Sequence, residues 1–387
     1  MIASGAAARF PLVDSMRALA ALAILAYHGA LFTGALDGTG SAFWYVQLNV
    51  GVPLFFAISG FLLYRPWVAA RLAGAASPGV RVYALRRVLR IVPAYWVALA
   101  LIALVLGRDD VFSWPGALVH FGFLQAYDPG RFTGGIGQAW TLTVEVAFYA
   151  ALPLIALAAR RLPGGSPARI VRAELSFLAA LALLAVAWRL VVVLSVDPSG
   201  DAYFPLLVAL PAQLDVFAGG MALAVVSAAG ADARARPPLL ASLAWALAAA
   251  AYVAVVLWRP VDPGARVFVE HQLQGLIALA LLAPAVLGQN DGGAIRRLLA
   301  WRPLAWVGLI SYGLYLWHLD VLRELAERDV PAMGIVVPGS LLALGLGAAS
   351  WYLVERNALR LGRRAAGRPP VDPAAGHPQP VTAETVR

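Results

Sequence analysis

Two ionisable residues, Arg17 and His28, lie inside an apolar stretch that begins at Phe10 and is long enough to cross a bilayer. Ionisable groups at membrane depth are costly, so they indicate a functional site. The two residues are eleven positions apart. On a helix this spacing puts both side chains on one face, roughly 16 Å apart along the axis. We predict a first membrane helix with a permanent cation near one side of the bilayer and a titratable base well inside it.

Glu145 is a carboxylate in the apolar segment that begins at Trp140. It falls roughly 9 Å below the outer end of the predicted fourth helix, at a depth similar to that of His28. A carboxylate that hydrogen-bonds an imidazole fixes its tautomer and stabilises the imidazolium. We therefore predict a catalytic pair of His28 and Glu145. The alternative is a structural pair that joins two helices.

Arg87 and Arg90 are three positions apart at the predicted cytoplasmic start of the third helix, so they share a face. Two guanidinium groups there can bind phosphate in a bidentate manner. The alternative is a positive anchor of the kind that many membrane helices carry at their cytoplasmic end.

Three further residues, each polar or small, lie within predicted membrane helices. Ser59 and Gly60 lie near the middle of the second helix, where a small pair lets a ligand or another helix approach closely. Ordinary helix packing explains the same pair. His318 falls near the outer end of the ninth helix, where a histidine next to an aromatic belt is also unremarkable.

The composition predicts a polytopic membrane protein. The 387 residues are 61% hydrophobic and only 13% charged, with a mean hydropathy of +0.75, whereas soluble proteins carry roughly a quarter charged residues. The chain has no Cys and its 30 basic residues are all Arg, which excludes disulfides, thiolate chemistry and lysine Schiff bases. We find no metal-ligand spacing, glycine-rich phosphate loop or nucleophile elbow, and we predict no metal site.

The arginines explain the net charge of +9 without nucleic acid, because most lie in short loops between apolar segments. Loops after the even-numbered segments are rich in Arg. The fold class is therefore predicted as all-α and polytopic, with about ten transmembrane helices and both termini cytoplasmic. One re-entrant segment would invert part of this topology. The predicted segments are 12–33, 49–69, 89–106, 139–159, 173–195, 205–228, 239–258, 270–288, 303–322 and 334–354.

Two shorter regions complete the domain organisation. Residues 113–127 are apolar but short, which indicates an interfacial or re-entrant piece on the outer side. Residues 362–387 are rich in Arg and then Pro, which is typical of a disordered tail. We therefore predict one transmembrane domain over residues 1–361, followed by a cytoplasmic tail.

Six motifs in order across residues 10–357 resemble those of the acyltransferase-3 family of integral-membrane acyltransferases. They are Asp14-x-x-Arg17 with His28, Gly51-Val-x-Leu-Phe-Phe-x-x-Ser59-Gly60-Phe61, Arg87-x-x-Arg90 with Pro93 and Tyr95, Trp140-x-Leu-x-x-Glu145-x-x-Phe148-Tyr149, Ser311-Tyr-Gly-x-Tyr-Leu-Trp-His318, and Tyr352-x-Val-Glu355. The resemblance implies transfer of an acyl group, acetyl by family frequency, to a hydroxyl of a carbohydrate, glycolipid or glycosylated natural product.

The resemblance also implies roles for the candidate residues. A cytoplasmic acyl-CoA, acetyl-CoA in the first instance, would be a co-substrate, with no tightly bound cofactor. Arg87 and Arg90, helped by Arg17, would hold its phosphates, and Ser59 and His318 are further candidates for substrate or donor binding. His28 would act as general base or transient acyl carrier, oriented by Glu145.

A transporter or flippase is the competing interpretation, because intramembrane Arg, His and Glu also serve the passage of substrates and protons. In either case the chain is expected to be a multi-pass protein of the plasma (inner) membrane. The expected partners are the lipid bilayer and, for the enzyme, acyl-CoA and a carbohydrate or glycolipid acceptor. No nucleic-acid partner is expected.

Overall fold

The computed structural model describes residues 10–37, 40–230, 238–258, 262–287 and 293–365. These residues form helices and connecting loops, with no β-strand among them. The helices are α1 Leu12–Phe32, α2 Ala42–Val46, α3 Gly51–Leu72, α4 Val80–Val105, α5 Trp114–Phe121, α6 Trp140–Arg160, α7 Pro167–Ser195, α8 Tyr203–Val208, α9 Leu210–Ala228, α10 Pro238–Leu257, α11 Pro263–Val286, α12 Ala294–Leu299, α13 Arg302–Glu327, α14 Ala332–Ser350 and α15 Arg356–Ala365.

Nine helical spans of the described residues are long and apolar enough to cross a membrane. α13 is a further long helix of 26 residues, about 39 Å at 1.5 Å per residue. It carries four charged residues after its first, Arg302, and all four lie near its C-terminal end: Asp320, Arg323, Glu324 and Glu327. It packs along α1 and α14 within the bundle. The predicted all-α polytopic membrane fold is confirmed, while the cytoplasmic position of the termini stays a prediction.

Three membrane helices begin earlier than hydropathy predicts. α4 begins at Val80 instead of 89, α7 at Pro167 instead of 173, and α11 at Pro263 instead of 270. Both prolines occupy a first-turn position that suits their missing N–H, and Asp262 Oδ1 accepts a hydrogen bond from the N–H of Ala265 at 2.5 Å. Charged residues in these extensions lower the hydropathy without interrupting the helix. Arg87 and Arg90 therefore lie well inside α4 and not at its start.

The apolar piece at 113–127 forms a short layer, called the outer layer after its predicted side, that packs on α4. It consists of α5 and a 3₁₀ turn, Gln125–Tyr127, neither long enough to cross the bilayer. The hydroxyl of Tyr95, on α4, donates to the carbonyl of His120 at 2.9 Å. This bond ties the layer to the membrane helices, while its interfacial or re-entrant position stays a prediction.

Two glycines permit the helix contacts on which the interior depends. At Gly308 of α13 a Cβ atom would collide with the backbone carbonyl of Asp14 on α1, and at Gly60 of α3 it would collide with that of Phe217 on α9. Each pair of helices therefore approaches at backbone distance. The Gly60 contact confirms the helix-packing alternative for this residue.

The C-terminal membrane helix is interrupted near its end. α14 runs into a π-helical turn over Trp351–Glu355, which continues as α15. Such turns often occur at functional sites because they shift the direction of following side chains. α15 packs against α4. It reaches Ala365, beyond the predicted start of the tail at 362, and residues 366–387 of that predicted tail lie outside the described residues.

Candidate active site

A cavity lies between α1, α3, α4, α6 and α13. Its polar lining contains most of the residues that the sequence singles out. They are Arg17, Ser59, Arg87, Arg90 and Glu145, joined by Thr141, Tyr149, Ser311, Tyr312 and Tyr315. The rest of the wall is apolar. Five candidate residues from four different helices therefore face one space.

The three arginines of the cavity differ in how they are held. Arg17 pairs with Asp14 at 3.1 Å, and Arg90 pairs with Glu355 at 3.0 Å. Arg87 has no carboxylate within ion-pair distance among the described residues, and its buried Nε has no hydrogen-bond partner there. Its guanidinium lies 5.9 Å from the centre of the Tyr149 ring. Arg87 is therefore the cavity arginine most available to an anionic ligand.

Glu145 pairs with Ser59, and not with His28 as predicted. The hydroxyl of Ser59 donates to Glu145 Oε1 at 2.5 Å, and neither a hydrogen bond nor an ion pair joins Glu145 to His28. Ser59 therefore faces the cavity, while the adjacent Gly60 faces α9. The predicted similar depth did not bring the carboxylate and the imidazole together, because the side chain of Glu145 is directed to Ser59 on α3.

The imidazole partner of His28 is His318. Nε2 of His318 lies 3.0 Å from Nδ1 of His28, and the ring centroids are 5.0 Å apart. His318 Nδ1 also lies 3.1 Å and 2.9 Å from the backbone carbonyl oxygens of Leu314 and Tyr315. Carbonyl oxygens only accept, so this nitrogen carries the hydrogen and, in the neutral ring, Nε2 is the acceptor.

The same reasoning fixes the tautomer of His28. Its Nδ1 faces two acceptors, Nε2 of His318 and the carbonyl of Ile24 at 3.1 Å. Nδ1 therefore carries the hydrogen, and the lone pair of the neutral ring is on Nε2. His318 is almost fully buried and His28 is only partly buried. The arrangement presents one basic nitrogen, His28 Nε2, on the more accessible ring.

Tyr315 connects the histidine pair to the cavity. It lines the cavity, whereas neither histidine does, and its ring centroid is 5.7 Å from that of His318. Its hydroxyl lies 2.6 Å from Thr141 Oγ1 and 3.1 Å from the carbonyl oxygen of Gln138. Because these contacts fix the ring between α6 and α13, Tyr315 forms part of the wall between the arginines and the imidazoles.

Glu355 is a site residue whose role the sequence did not reveal. Its side chain is fully buried, and it accepts from Arg90 and, at 3.3 Å, from the hydroxyl of Ser350. The signal was present, since a carboxylate in an apolar segment is costly unless it has a partner. The identity of that partner depends on the π-helical turn, which hydropathy does not detect.

Comparison with known proteins agrees with this site. The family model described as an acyltransferase domain matches residues 11–352. The chain is 26% identical over 341 residues to "Nodulation protein 10" of Rhizobium leguminosarum bv. viciae, which covers 80% of this chain and 82% of that protein. It is 23% identical over 381 residues to "Peptidoglycan O-acetyltransferase OatA" of Listeria monocytogenes, covering 89% of this chain and 54% of that protein.

The chain thus spans only about half the length of the Listeria protein. No solved structure matches it significantly. The family match covers the motifs from Asp14 to Tyr352 and almost all of the membrane helices. The predicted resemblance and the predicted acyltransferase class are confirmed: this chain belongs to the acyltransferase-3 family of membrane-spanning acyltransferases.

Proposed function

We propose that the chain moves an acyl group, acetyl in the first instance, from cytoplasmic acyl-CoA to a hydroxyl group of a carbohydrate or glycolipid. The observation that carries this proposal is the basic Nε2 of His28, oriented by His318 next to an arginine-lined cavity. The family match favours this O-acyltransferase over the transporter, the competing interpretation of the sequence. The plasma (inner) membrane is the proposed location.

The donor would enter with its phosphates at the arginines. Arg87 offers a guanidinium without a carboxylate partner among the described residues, while Arg17 and Arg90 are each held by an acid. Arginine binds phosphate through several N–H groups at fixed angles. Arg17 and His28 lie roughly 16 Å apart along α1, a separation that an extended pantetheine arm can span. The thioester would then reach the level of the histidines after passing Tyr315.

His28 would act as the general base. Its Nε2 removes the proton of the acceptor hydroxyl while the oxygen attacks the thioester carbonyl. The tetrahedral intermediate then collapses, the C–S bond breaks, and the imidazolium returns the proton to the leaving thiolate. The products are the ester and free CoA, so no other reactant is needed. His318 accepts the hydrogen bond from His28 Nδ1–H throughout the reaction, which keeps Nε2 as the basic nitrogen.

Transfer through an acyl-histidine uses the same nitrogen as a nucleophile. In that route Nε2 attacks the thioester first, CoA leaves, and the acceptor hydroxyl then takes the acyl group from the ring. The two routes differ in one measurable way. Radiolabelled acetyl-CoA without acceptor leaves label on the protein only in the second route.

The acceptor class is proposed from the Listeria relative, whose name gives peptidoglycan as its substrate. Peptidoglycan is a carbohydrate polymer with free hydroxyl groups, so a related acceptor suits the same chemistry. His28 lies in the outer half of the predicted topology, on the side where such polymers are found. A membrane-linked or surface carbohydrate is therefore the acceptor to test first.

The test is release of free CoA from acetyl-CoA by purified protein in vesicles, with a crude glycan and glycolipid mixture as acceptor. His28→Gln is expected to lower turnover about 10²–10⁴-fold, the usual contribution of a general base. His271→Gln is the matched control, because His271 pairs with Asp215 away from the cavity. Full activity in His28→Gln would contradict both routes.

The donor site has its own test in the same assay. Arg87→Ala is expected to raise the KM for acetyl-CoA about 10–100-fold, since hydrogen bonds to charged groups contribute about 1.5–3 kcal/mol. Arg81→Ala is the control, an exposed arginine on the same helix that does not line the cavity. An equal effect of the two substitutions would remove the support for phosphate binding at Arg87.

A further inference from the structure

A second cavity opens between α3 and the beginning of α4, next to the loop that joins them. It shares three lining residues with the cavity described above: Leu62, Leu63 and Arg87. The two spaces are therefore neighbours on the same wall, with Arg87 at their boundary. A long ligand that passes Arg87 would reach both.

The lining of this second cavity suits a flat, apolar-faced ring. Trp67 and Tyr83 face each other edge to face, with ring centroids 6.1 Å apart. The hydroxyl of Tyr83 donates to the backbone carbonyl of Tyr149 at 3.1 Å, which holds its ring in place. The neighbouring wall is formed by the apolar Pro66 and Val82. Rigid aromatic and apolar walls of this kind favour stacking with a purine.

The charge around the cavity suits a polyanion. Two of the residues that line the second cavity are arginines, Arg86 and Arg87, and none of its described lining residues is acidic. Among the described residues, Glu145 is the one acid that lines the first cavity. A ligand that carries several phosphates next to a purine would meet cations at the boundary and aromatic rings beyond it.

The geometry points to the second cavity as the binding site for the nucleotide end of the donor, with the adenine at Trp67 and Tyr83. This inference rests on the proposed function, and it assigns the part of acyl-CoA that the arginine-lined cavity leaves outside. Trp67 is eight positions beyond Ser59 on α3, about 12 Å along the axis. The pyrophosphate would then lie at Arg87, and the pantetheine arm would follow the first cavity towards Tyr315.

The test compares two ligands that differ only in the nucleotide. Equilibrium binding of CoA and of 4′-phosphopantetheine to detergent-purified protein is measured by calorimetry, and CoA is expected to bind about tenfold more tightly or better, as base stacking predicts. Adenosine 3′,5′-bisphosphate is expected to compete with CoA. The inference would be overturned if CoA and 4′-phosphopantetheine bound with equal affinity and adenosine 3′,5′-bisphosphate did not compete with CoA. This test uses the wild-type protein and needs no substitution.

A matched pair of substitutions locates the nucleotide. Val82 lines the second cavity and is 42% exposed, whereas Val80 does not line it and is 52% exposed on the same helix. Val82→Trp is expected to fill the cavity and weaken CoA binding about tenfold while leaving 4′-phosphopantetheine unaffected. Val80→Trp is expected to change neither affinity. Loss of both ligands in Val82→Trp, or of neither, would contradict a nucleotide at this position.

The outcomes separate this inference from the proposed function. CoA binding with the expected nucleotide dependence, but no turnover of any acyl-CoA, would contradict the proposed reaction and support the site. If the protein turns over acetyl-CoA but binds CoA and 4′-phosphopantetheine equally well, the proposed reaction is supported and the nucleotide site in the second cavity is overturned. If the wild-type protein binds no CoA at all, both are wrong, and a lipid becomes the candidate occupant of the second cavity.

Discussion

The side chains of His28 and His318 form a hydrogen bond of 3.0 Å although 290 residues separate them in the chain. The bond crosses from α1 to α13, and backbone carbonyls at both ends determine its direction. In the proposed mechanism His318 is therefore a positioning residue. It accepts from Nδ1–H of His28 and so leaves Nε2 as the basic nitrogen.

Replacement of His318 should affect turnover more than donor binding. His318→Leu removes one of the two acceptors that face His28 Nδ1–H and leaves only the carbonyl of Ile24. The ring is then held less firmly, and kcat is expected to fall about 10–100-fold, the usual loss when a supporting partner is removed. His318→Gln restores an acceptor oxygen and should recover part of the activity. The KM for acetyl-CoA should stay unchanged, because His318 does not line the cavity. A raised KM with normal kcat would indicate direct contact with the donor.

The Arg90–Glu355 pair should stabilise the fold. Arg90→Ala leaves a buried carboxylate without its cation, and Glu355→Ala leaves the cation without its acid. Each is expected to lower the thermal midpoint, and the double variant should lose less than the sum, with a coupling of about 1–3 kcal/mol.

The control for that cycle is the exposed pair of Arg328 and Glu324 at the end of α13, with N–O distance 2.7 Å. Solvent screens this pair, so its coupling should be under about 0.5 kcal/mol. Thermal unfolding of detergent-purified protein, followed by intrinsic fluorescence, measures both cycles. Equal coupling in the two pairs would contradict a special role for the buried pair.

His120 should make the outer layer sensitive to acid. Its side chain is fully buried and neither ring nitrogen has a hydrogen-bond partner among the described residues. Burial lowers the pKa of His120, and Asp110, with its carboxylate 3.9 Å away, opposes that shift only in part. The folded state therefore favours the neutral ring, so its stabilising contribution is complete above the unfolded pKa of about 6.5 and is lost as pH falls below it.

The measurement for His120 is the thermal midpoint between pH 7.5 and pH 5. The wild-type midpoint is expected to fall over this range, and His120→Leu should fall less steeply because the variant has no proton to bind there. Other groups also titrate, and the comparison of the two slopes isolates His120. Identical slopes would show that His120 does not contribute.

Gly308 should be intolerant of even one methyl group. Gly308→Ala places a Cβ against the backbone carbonyl of Asp14, so α1 and α13 must separate. Both the thermal midpoint and CoA release are expected to fall, since the two helices that must separate carry His28 and His318. Gly345→Ala on α14 is the control, because a Cβ there meets nothing within 4 Å. Normal activity in Gly308→Ala would show that the histidine pair tolerates helix displacement.

The sequence predicted the membrane helices and five of the polar residues that line the cavity. Hydropathy located ten segments, and the family resemblance implied that Arg17, Arg87 and Arg90 serve one site. The predicted pair of His28 with Glu145 failed because depth along a helix was known but rotation about its axis was not. Rotation depends on contacts between distant helices, such as that of Gly308 with Asp14, which joins residues almost 300 positions apart.

The extended ends of the helices were missed for a different reason. Arginines in the first turns of α4 make those turns resemble a loop on any hydropathy scale, although helix propensity does not change there. The second cavity lies along this extension and was therefore invisible to segment prediction. The Arg90–Glu355 pair was missed because the π-helical turn changes the direction of Glu355.

The π-helical turn over Trp351–Glu355 also makes the number of residues in this segment a structural requirement. A π-helical turn holds one residue more than an α-helical turn, so it acts as a single-residue insertion. Removal of any one residue from Trp351–Glu355 would restore a continuous α-helix and rotate everything beyond it by about 100°. Glu355 and the α15 face that packs on α4 would then change direction together. The ion pair between Glu355 and Arg90 therefore depends on the number of residues in the π-helical turn as well as on the presence of Glu355.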